Sequence, residues 1–561
     1  MVSIFTRESH SEAAEALRKE GCHPVLARAF ASRGIVRSAQ LEYTLSGLIP
    51  PQKLKGVERM ASILADAIGQ QKRLMVIADY DADGATACAV SVRGLRKFDA
   101  LVDYLVPNRF EYGYGLTPEI VALAADRRPD FIITVDNGIA SIDGVRAAKA
   151  RGIEVLVTDH HLPGDELPDA ACIINPNQPG CEFPSKCLAG VGVAFYLLLA
   201  LRAELRSRGI FQYQPEPNLT ELLDLVALGT VADLVRLDDN NRILVDQGLR
   251  RIRAGKASPG VEALLRVAGR EPERANAQDF GFRVAPRLNA AGRLQDMSLG
   301  IACLLADDKA EAMQLALRLD GLNRERRDIE AEMFDSALTA LDDIDPGDRY
   351  SLSLYQPDWH QGVIGILASR VKERYHRPAI IFAQASDGTL KGSGRSVSGL
   401  HLRDALDLVS KRHPDLLIRF GGHAMAAGLA IEQHDFIRFA SAFETVSRDL
   451  LTPADLESVL ETDGSLAAEE IGLDLAESLE RQVWGQGFPE PEFVDEFLVV
   501  GQRVVGERHL KLRLEKSGTV FEAILFNSSQ LLPTKIRAVY RVQVNEYNGA
   551  RSVQLVLRYC E

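Results

Sequence analysis

Residues 76–87, VIADYDADGATA, end an apolar run with three aspartates at alternate positions, Asp79, Asp81 and Asp83. Two carboxylates about 4 Å apart repel by about 4 kcal/mol at an effective dielectric constant of about 20, so three together are costly unless a cation binds. The spacing matches the first half of a calcium-binding EF-hand loop, but the twelfth position, which should be a glutamate, is Val90, and a strand leads in. A cation site and a solvated Asp-rich turn therefore both remain open for this stretch alone.

The composition is that of a globular protein, with 46% hydrophobic and 25% charged residues among 561, and the length predicts about three to five domains. No uninterrupted apolar run reaches the ~20 residues of a membrane span, and the start of the chain is mixed in charge from Arg7 onward, which is unlike a signal peptide. Seven cysteines without paired CxxC spacing indicate reduced thiols, so we expect a cytoplasmic protein. The net charge of -13 argues against a uniformly basic nucleic-acid surface and leaves room for a local basic channel.

Residues 71–235 alternate strand-like and helix-like segments, which predicts an α/β domain with a mostly parallel sheet covered on both faces. The strand-like runs are RLMVIA (73–78), LVDYLVP (101–107), DFIITV (130–135) and IEVLVT (153–158). A long charged segment without proline follows and predicts a connecting helix. A second α/β region precedes the last hundred residues.

The last hundred residues alternate apolar and polar positions in about five runs, and Asn548-Gly549 predicts a tight hairpin. A small closed barrel such as an OB-fold and another small antiparallel sheet both fit this pattern. We expect an N-terminal extension, a first α/β domain, a connecting helix, a second α/β domain and an OB-like barrel, at residues 1–50, 51–300, 301–345, 346–450 and 451–561.

Other polar residues appear where an apolar run stops. Asp136 ends one strand-like run, Asp159, His160 and His161 end the next, and Asp233 lies in an apolar context. Because the carboxyl ends of parallel strands share one rim of a sheet, we expect these side chains to converge. Carboxylates with imidazoles suit Mg²⁺ or Mn²⁺, and the number of acids predicts two ions, the arrangement that cleaves phosphoesters.

The motifs DYDADG, VDNG, TDHH and ALGTVAD resemble, in order and spacing, those of the DHH phosphoesterase family. PNRFEYGYGL, GSGRS and GGHAMAAG extend the resemblance over essentially the whole chain, to the single-strand-specific DNA exonucleases of that family. The resemblance implies a DHH domain, a DHH-associated second α/β domain and an OB-like barrel. It also implies a 5′-to-3′ exonuclease that uses two Mn²⁺ or Mg²⁺ ions to release 5′-mononucleotides from single-stranded DNA, in recombination and in repair, including mismatch repair.

The resemblance assigns roles residue by residue. The implied metal ligands are Asp79, Asp81, Asp83, Asp136, His160 and Asp233, of which Asp79 is the least secure. The implied catalytic residues are His161 at the scissile phosphate or leaving oxygen, His160, and Asp159, which orients both histidines. The implied substrate-binding residues are Arg109, Ser393 and Arg395 at the 5′-phosphate, His423 at the nucleotide, and Gly421 and Gly422 where the backbone is approached closely. From the residues alone, KGSGRS (391–396) could hold a terminal phosphate but is more typical of an ordinary glycine turn. GGHAMAAG (421–428) fits a role in helix packing nearly as well as a contact with the nucleotide.

Single-strand selectivity needs only a narrow passage with cations and stacking surfaces, for which Tyr112, Tyr114 and Trp359 are candidates unless they are core residues. The expected partners are single-stranded DNA, the single-stranded DNA-binding protein and a helicase that supplies unwound ends, with the chain a monomer. Two alternatives are a phosphoesterase of the same family that acts on small molecules or short oligonucleotides, and a non-catalytic single-strand binder. The barrel and the connecting helix favour a longer polymer over a small molecule.

Overall fold

The apolar runs of the first α/β region form one parallel sheet in a computed structural model that describes residues 2–108, 112, 115–342, 348–385, 387–506, 508–547 and 549–561. After a short N-terminal strand, β1 (Val2–Thr6), the sheet comprises β2 (Arg73–Ala78), β3 (Leu101–Leu105), β4 (Phe131–Val135), β5 (Glu154–Thr158) and β6 (Cys172–Ile174). Its strand order is β3-β2-β4-β5-β6, and every neighbouring pair is parallel. The predicted parallel sheet is confirmed. It has one further strand, β6, which the sequence analysis did not predict because it is only three residues long.

Helices cover both faces of this sheet. The helices of this part of the chain, not all of which touch the sheet, are α1 (Ser11–Lys19), α2 (Pro24–Ala31), α3 (Val57–Gly69), α4 (Ala82–Arg96), α5 (Pro118–Ala125), α6 (Ile142–Lys149), α7 (Gly190–Ser207), α8 (Leu223–Ala232), α9 (Asp239–Arg253) and α10 (Pro259–Val267). One face packs on α5 and α6 through Ile77, Ile132 and Val155. On the other side of β2, α4 packs against α7 and α8, so the segment after Asp81 lies in the core.

A π-helical turn (Phe280–Val284) leads into α11 (Ala285–Leu294), which is followed by α12 (Ser298–Leu305) and the long helix α13 (Lys309–Asp342). The connecting helix expected at 301–345 thus begins at Lys309, and its first expected residues belong to α12. Compact packing divides the chain inside α13, into one unit of residues 6–320 with 462–561 and another of residues 1–5 with 321–461. Among the described residues, no helix has the length and apolar content that a membrane crossing requires.

The second unit contains a mixed sheet of order β10-β11-β9-β8-β7, in which β7 and β8 are parallel and the other pairs antiparallel. Its elements are β7 (Leu352–Tyr355), α14 (Ile364–Tyr375), β8 (Ala379–Gln384), β9 (Leu390–Arg395), α15 (Leu402–Arg412), β10 (Arg419–Gly422), β11 (Ala426–Ile431) and α16 (Phe436–Leu450). Helix α14 and the end of α13 pack on one face, while α15 and α16 pack on the other. The strand β12 (Ser458–Thr462) pairs with β1.

The C-terminal strands close into a barrel, which confirms the OB-like prediction. After α17 (Leu473–Glu480) come β13 (Phe493–Val505), β14 (His509–Lys516), β15 (Thr519–Leu525), β16 (Lys535–Tyr547) and β17 (Ala550–Cys560), in the closed order β13-β14-β15-β17-β16. Tyr547 pairs with Ala550 at the predicted hairpin, and Asn548 itself lies outside the described residues.

Candidate metal centre

The polar residues at the ends of β2, β4 and β5 meet around the imidazole of His160. Its Nε2 lies 3.1 Å from Asp136 Oδ1, 3.5 Å from Asp233 Oδ2 and 4.0 Å from Asp83 Oδ2. Asp136 and His160 follow parallel strands, whereas Asp233 follows the last residue of α8. The rim, by which we mean the edge of the sheet at the carboxyl ends of its strands, therefore holds side chains from strand ends and from one helix end.

The three aspartates after β2, Asp79, Asp81 and Asp83, make different contacts. Asp81 is the N-cap of α4, and its Oδ1 accepts hydrogen bonds from the N–H groups of Asp83 (2.9 Å) and Gly84 (3.0 Å). This cap satisfies backbone donors that a helix start leaves unpaired and turns the chain sharply after β2. Asp79 stands just before the turn and is buried, with a side chain that shares a cluster with Asp81 and Asp136.

Asp83 is held by a second helix start. Its two oxygens accept the N–H groups of Gly190 (2.6 Å) and Val191 (2.9 Å) at the beginning of α7. Burial, and then the charge of Asp81, raise the pKa of Asp83 to about 7. Asp83 therefore anchors α7 as well as facing His160, a structural task that its spacing in the sequence did not indicate.

Asp136 sits in the left-handed region, with φ +62°, directly beneath the start of α7. A Cβ at Gly190 would lie 2.6 Å from the Cβ of Asp136, so only glycine lets this helix approach the rim so closely. The neighbouring Asn137 donates from Nδ2 to the carbonyls of Ile77 (3.1 Å) and Val135 (2.9 Å), which ties the ends of β2 and β4 together.

Asp159 fixes both histidines. Its Oδ1 accepts the N–H groups of His160 (2.7 Å) and His161 (3.1 Å) and lies 2.8 Å from Nδ1 of His161, while Oδ2 accepts the N–H of Ile139 (2.9 Å). Burial opposes the protonation of His161, but the hydrogen bond and charge of Asp159 outweigh it and raise the pKa of His161 to about 9. The contact with Asp159 thus favours the protonated form of His161.

Two asparagines that sequence reasoning missed hold the same histidine segment. Asn175 donates from Nδ2 to the carbonyl of His161 (2.9 Å), and Asn177 donates to that of His160 (2.6 Å). Both lie directly after β6, in the stretch Asn-Pro-Asn, which is polar and follows an apolar strand. Their position after a strand could have indicated a place at the rim of the sheet, but β6 is too short to be recognised in the sequence.

The donor set fits divalent cations. Three groups of side chains bring one ligand atom each to within 4.8 Å of one another: Asp79, Asp81 and Asp136; Asp83, His160 and Asp233; and Asp136, His160 and His161. Burial, and then the charges of neighbouring aspartates, raise the pKa values of Asp136 and Asp233 well above the ordinary range. Cations would remove this repulsion, and carboxylate oxygens with an imidazole suit Mg²⁺ or Mn²⁺.

The cluster is open on one side. The side chains of Asp83, Asp136 and Asp159 are at most 2% exposed, whereas those of Asp233 and His161 are 21% and 32% exposed. A ligand would therefore enter past Asp233 and His161.

The predicted substrate residues of the second unit lie on one sheet. Ser393 and Arg395 alternate along β9, where the Arg395 guanidinium is 3.3 Å from Ser393 Oγ, and both side chains lie beside Gly365 in the first turn of α14. Ser393 pairs with Gly428 on β11, and Gly428 pairs with Gly421 on β10.

The glycines of this sheet have different structural roles. Gly422 has φ +145° and no room for a Cβ, so it shapes the hairpin in which the N–H of His423 donates to the carbonyl of Ala426 (2.8 Å). Gly421 and Gly428 have neither constraint: a Cβ on Gly421 would point into open space, and one on Gly428 would lie at ordinary contact distance, 3.9 Å, from the carbonyl oxygen of Gly392. Together with Ser393 they form a row across three strands, which we call the glycine row.

The remaining candidates fall outside the rim. Arg109 and Tyr114 lie outside the described residues. Trp359 is 4% exposed and packs in the core beneath α14, so of the two alternatives it is a core residue and not a stacking surface. Tyr112 is partly buried against the core formed by β2, β4 and β5.

Comparisons with known proteins match the chain along its length. The "DHH family, N-terminal domain" matches residues 73–230, the "DHHA1 domain" residues 348–449, and the "RecJ OB domain" residues 462–559. The single-stranded-DNA-specific exonuclease RecJ of Salmonella typhimurium is 52% identical over 551 residues, covering 95% of each chain. Crystal structures of Thermus thermophilus RecJ with Mn²⁺ and with Mg²⁺ match all of this chain and 79% and 78% of theirs, with TM-scores of 0.83 and 0.77 and identities of 31% and 30%.

We expect the free energy of unfolding, measured in EDTA, to fall as the pH rises from about 4 to about 7. The folded pKa of Asp83 is about 7 against an ordinary 3.8, and Asp136 and Asp233 are also raised, so the folded state binds more protons than the unfolded state in this window. Urea unfolding at pH 4.5, 6 and 8 measures the slope.

The variant Asp233→Asn should flatten this slope and raise stability at pH 8 in EDTA, because it removes one buried charge. Asp99→Asn, at an exposed aspartate, is the control and should leave the slope unchanged. Adding Mn²⁺ should stabilise the unchanged protein more at pH 8 than at pH 5. Equal slopes for all three proteins would contradict the electrostatic account of the rim.

Proposed function

We propose that this chain, which belongs to the RecJ family, is a metal-dependent exonuclease specific for single-stranded DNA that acts from the 5′ end and releases 5′-mononucleotides. The observation that supports this proposal most strongly is the cluster of carboxylates around His160, in a chain that matches a named exonuclease over 95% of both lengths. The three matched domains account for a catalytic rim, a second α/β domain and a barrel suited to single strands.

The metal ligands we propose are Asp79, Asp81, Asp83, Asp136, His160 and Asp233, which would hold two Mn²⁺ or Mg²⁺ ions. When bound, such ions lower the pKa of a water molecule and offset the charge of the reacting phosphate. Because Asp83 also anchors α7, its carboxylate keeps the ligand set and that helix in one position.

His161 is the residue we assign to the scissile phosphate. Its Nδ1 lies 2.8 Å from Asp159 Oδ1, a contact that favours the protonated ring, and a protonated ring would donate from Nε2 to a phosphate oxygen or to the leaving oxygen. Asp159 acts by orienting both histidines, as carboxylate partners of metal-binding imidazoles commonly do.

The second unit would bind the 5′ end. Ser393 and Arg395 offer a hydroxyl and a guanidinium for a terminal phosphate, with Arg109 assigned to the same group by resemblance and His423 to the nucleotide. The glycine row gives the sugar-phosphate chain an unobstructed backbone surface beside Ser393, and Gly422 shapes the adjoining hairpin.

An exonuclease of this kind needs ends that other proteins expose. We therefore propose that a helicase and the single-stranded DNA-binding protein work with it in DNA recombination and in repair, including mismatch repair, in the cytoplasm. Since the net charge is -13, binding relies on locally gathered cations and weakens as the salt concentration rises.

The substitution Asp136→Asn should abolish nucleotide release with little effect on folding. It removes one charged ligand but keeps the shape of the side chain, and asparagine tolerates the left-handed conformation at φ +62°. We expect kcat to fall by more than the about 10- to 100-fold typical of outer partners of a metal site. The assay follows 5′-labelled single strands, duplexes and dinucleotides in Mn²⁺.

Asp99→Asn is the matched control, because Asp99 is an exposed aspartate with φ +60° that undergoes the same chemical change. Activity on single strands alone, lost only in Asp136→Asn, is the expected result. Release chiefly from dinucleotides would instead identify a small-molecule phosphoesterase, and tight binding without cleavage would identify a non-catalytic binder.

Filling the glycine row should weaken substrate binding without weakening the fold. Gly421→Ala places a methyl group in open space, and Gly428→Ala places one at an ordinary contact distance of 3.9 Å from the carbonyl oxygen of Gly392. The melting temperature should therefore stay or rise, while KM for single-stranded DNA rises by about 10-fold or more. Gly472→Ala is the control, since Gly472 is also extended and has free space at its Cβ position. An unchanged KM in both row variants would show that the row is not a substrate surface.

A further inference from the structure

Asp233, the metal ligand we propose at the end of α8, is followed by a strained turn. Leu234 has φ +58°, in the left-handed region that leucine rarely adopts, and its side chain is 66% exposed. A backbone conformation of this kind persists only where the surrounding structure fixes it. Because the Leu234 side chain is largely in water, the turn depends on α8 before it and on residues 235–242 after it.

Two buried side chains in the first turn of α9 hold the loop that follows the metal ligand. Asn241 is fully buried, and its Nδ2 donates to the carbonyls of Arg236 (2.9 Å) and Cys187 (2.8 Å). Arg242 is also buried, and its guanidinium donates to the carbonyl of Leu237 (3.0 Å). The backbone of this loop is therefore fixed by hydrogen bonds from α9.

Residues 484–488, which we call the pre-barrel segment, contact the same loop within one compact unit. The N–H of Leu237 donates to the carbonyl of Gln486 (2.8 Å). The Arg242 guanidinium lies over the ring of Phe488, with its central carbon 4.2 Å from the ring centroid. One arginine therefore contacts both the loop and the pre-barrel segment.

The pre-barrel segment is itself held by a stack of buried aromatic rings. Trp484 and Phe488 stack with their ring centroids 5.3 Å apart, and Phe30 on α2 stacks on both. Arg33 lies over the Trp484 ring at 5.5 Å and is 2.6 Å from Asp463 in a buried ion pair. The segment is thus fixed from the side opposite the loop and can support it.

Two glycines let the pre-barrel segment lie directly against the loop. A Cβ on Gly485 would lie 2.6 Å from Cδ1 of Leu237, and one on Gly487 would lie 2.5 Å from Cγ of Arg236. Leu237 is itself buried, so its side chain cannot move aside into water. A displacement of the segment would therefore displace the residues that follow Asp233.

We propose that Arg242 and the pre-barrel segment position Asp233, and so set how tightly the rim holds a divalent cation. Arg242 acts through the backbone of the loop and is a positioning residue. The inference deepens the proposed function and depends on its assignment of Asp233 as a metal ligand. The chain next to the barrel then serves hydrolysis through the metal centre, separately from any contact with DNA.

The variant Arg242→Lys tests this assignment through Mn²⁺ binding alone. Lysine keeps the charge but loses the planar group that bonds Leu237 and lies over Phe488. Mn²⁺ is titrated into the full-length protein without DNA, and unbound Mn²⁺ is measured by its electron paramagnetic resonance signal. We expect the dissociation constant of at least one Mn²⁺ to rise about 10- to 100-fold, the range of outer partners of a metal site. Arg250→Lys, the same change at an exposed arginine of α9, is the control and should leave it unchanged.

Gly485→Ala is a second variant, which alters no charge and no residue of the first α/β domain. The added methyl group would displace Leu237, and we expect the same weakening of Mn²⁺ binding. Gly472→Ala, with free space at its Cβ position, is the control. For all four variants, kcat and KM for single-stranded DNA are measured at saturating Mn²⁺, where KM should be unchanged, and thermal unfolding in EDTA checks the fold.

Weaker Mn²⁺ binding by Arg242→Lys or Gly485→Ala, with an unchanged KM for DNA, is the supporting result. Mn²⁺ binding equal to that of the unchanged protein in both variants would overturn the inference. A KM that rises in step with the loss of Mn²⁺ binding, or loss of the thermal transition in both variants, would also overturn it, because the contacts would then serve the fold as a whole. Absence of nucleotide release by the unchanged protein in saturating Mn²⁺ would instead overturn the proposed function, so the two failures are distinguishable.

Discussion

The mutual repulsion of buried carboxylates is the constraint around which the first unit is built. Asp83, Asp136 and Asp233 are brought close to one imidazole, and burial together with neighbouring charge raises the pKa of each. No globular core gains stability from such an arrangement by itself. The fold tolerates it because helix starts, strand ends and a carboxylate-histidine pair fix the acids from outside, and because divalent ions would neutralise them.

Backbone N–H groups hold several of these acids in place. The N–H groups at the starts of α4 and α7 engage Asp81 and Asp83, and the N–H groups of the histidine segment engage Asp159. Helix starts favour negative charge, so each contact stabilises both the helix and the acid. Gly190 completes the arrangement by letting α7 lie directly on Asp136.

The sequence was informative where a side chain follows a buried strand that is long enough to be recognised. The runs ending at Ala78, Val135 and Thr158 became adjacent parallel strands, and Asp136 and His160 met as the topology required. Periodicity and the shared rim of a parallel sheet suffice for that inference. The five-stranded barrel likewise followed from alternation, although its closure needed the structure.

Contacts between residues that are far apart in the sequence could not be predicted in the same way. The anchoring of α7 by Asp83 joins residues more than a hundred positions apart, and Asn177 reaches His160 from a strand too short to recognise. An aromatic side chain has no sequence mark that separates a core position from a stacking surface, so only the structure placed Trp359 in the core.

The position of Asp233 at the end of α8, far along the chain from the other acids, has a consequence for biosynthesis. The sheet with Asp79, Asp136 and His160 leaves the ribosome before α8 has been made. Until that helix emerges and docks, a nascent polypeptide holds an incomplete set of the metal ligands we propose. Hydrolytic competence is thus delayed until the catalytic domain is largely translated, so an interrupted translation product that ends before α8 would be inert toward nucleic acids in the cell.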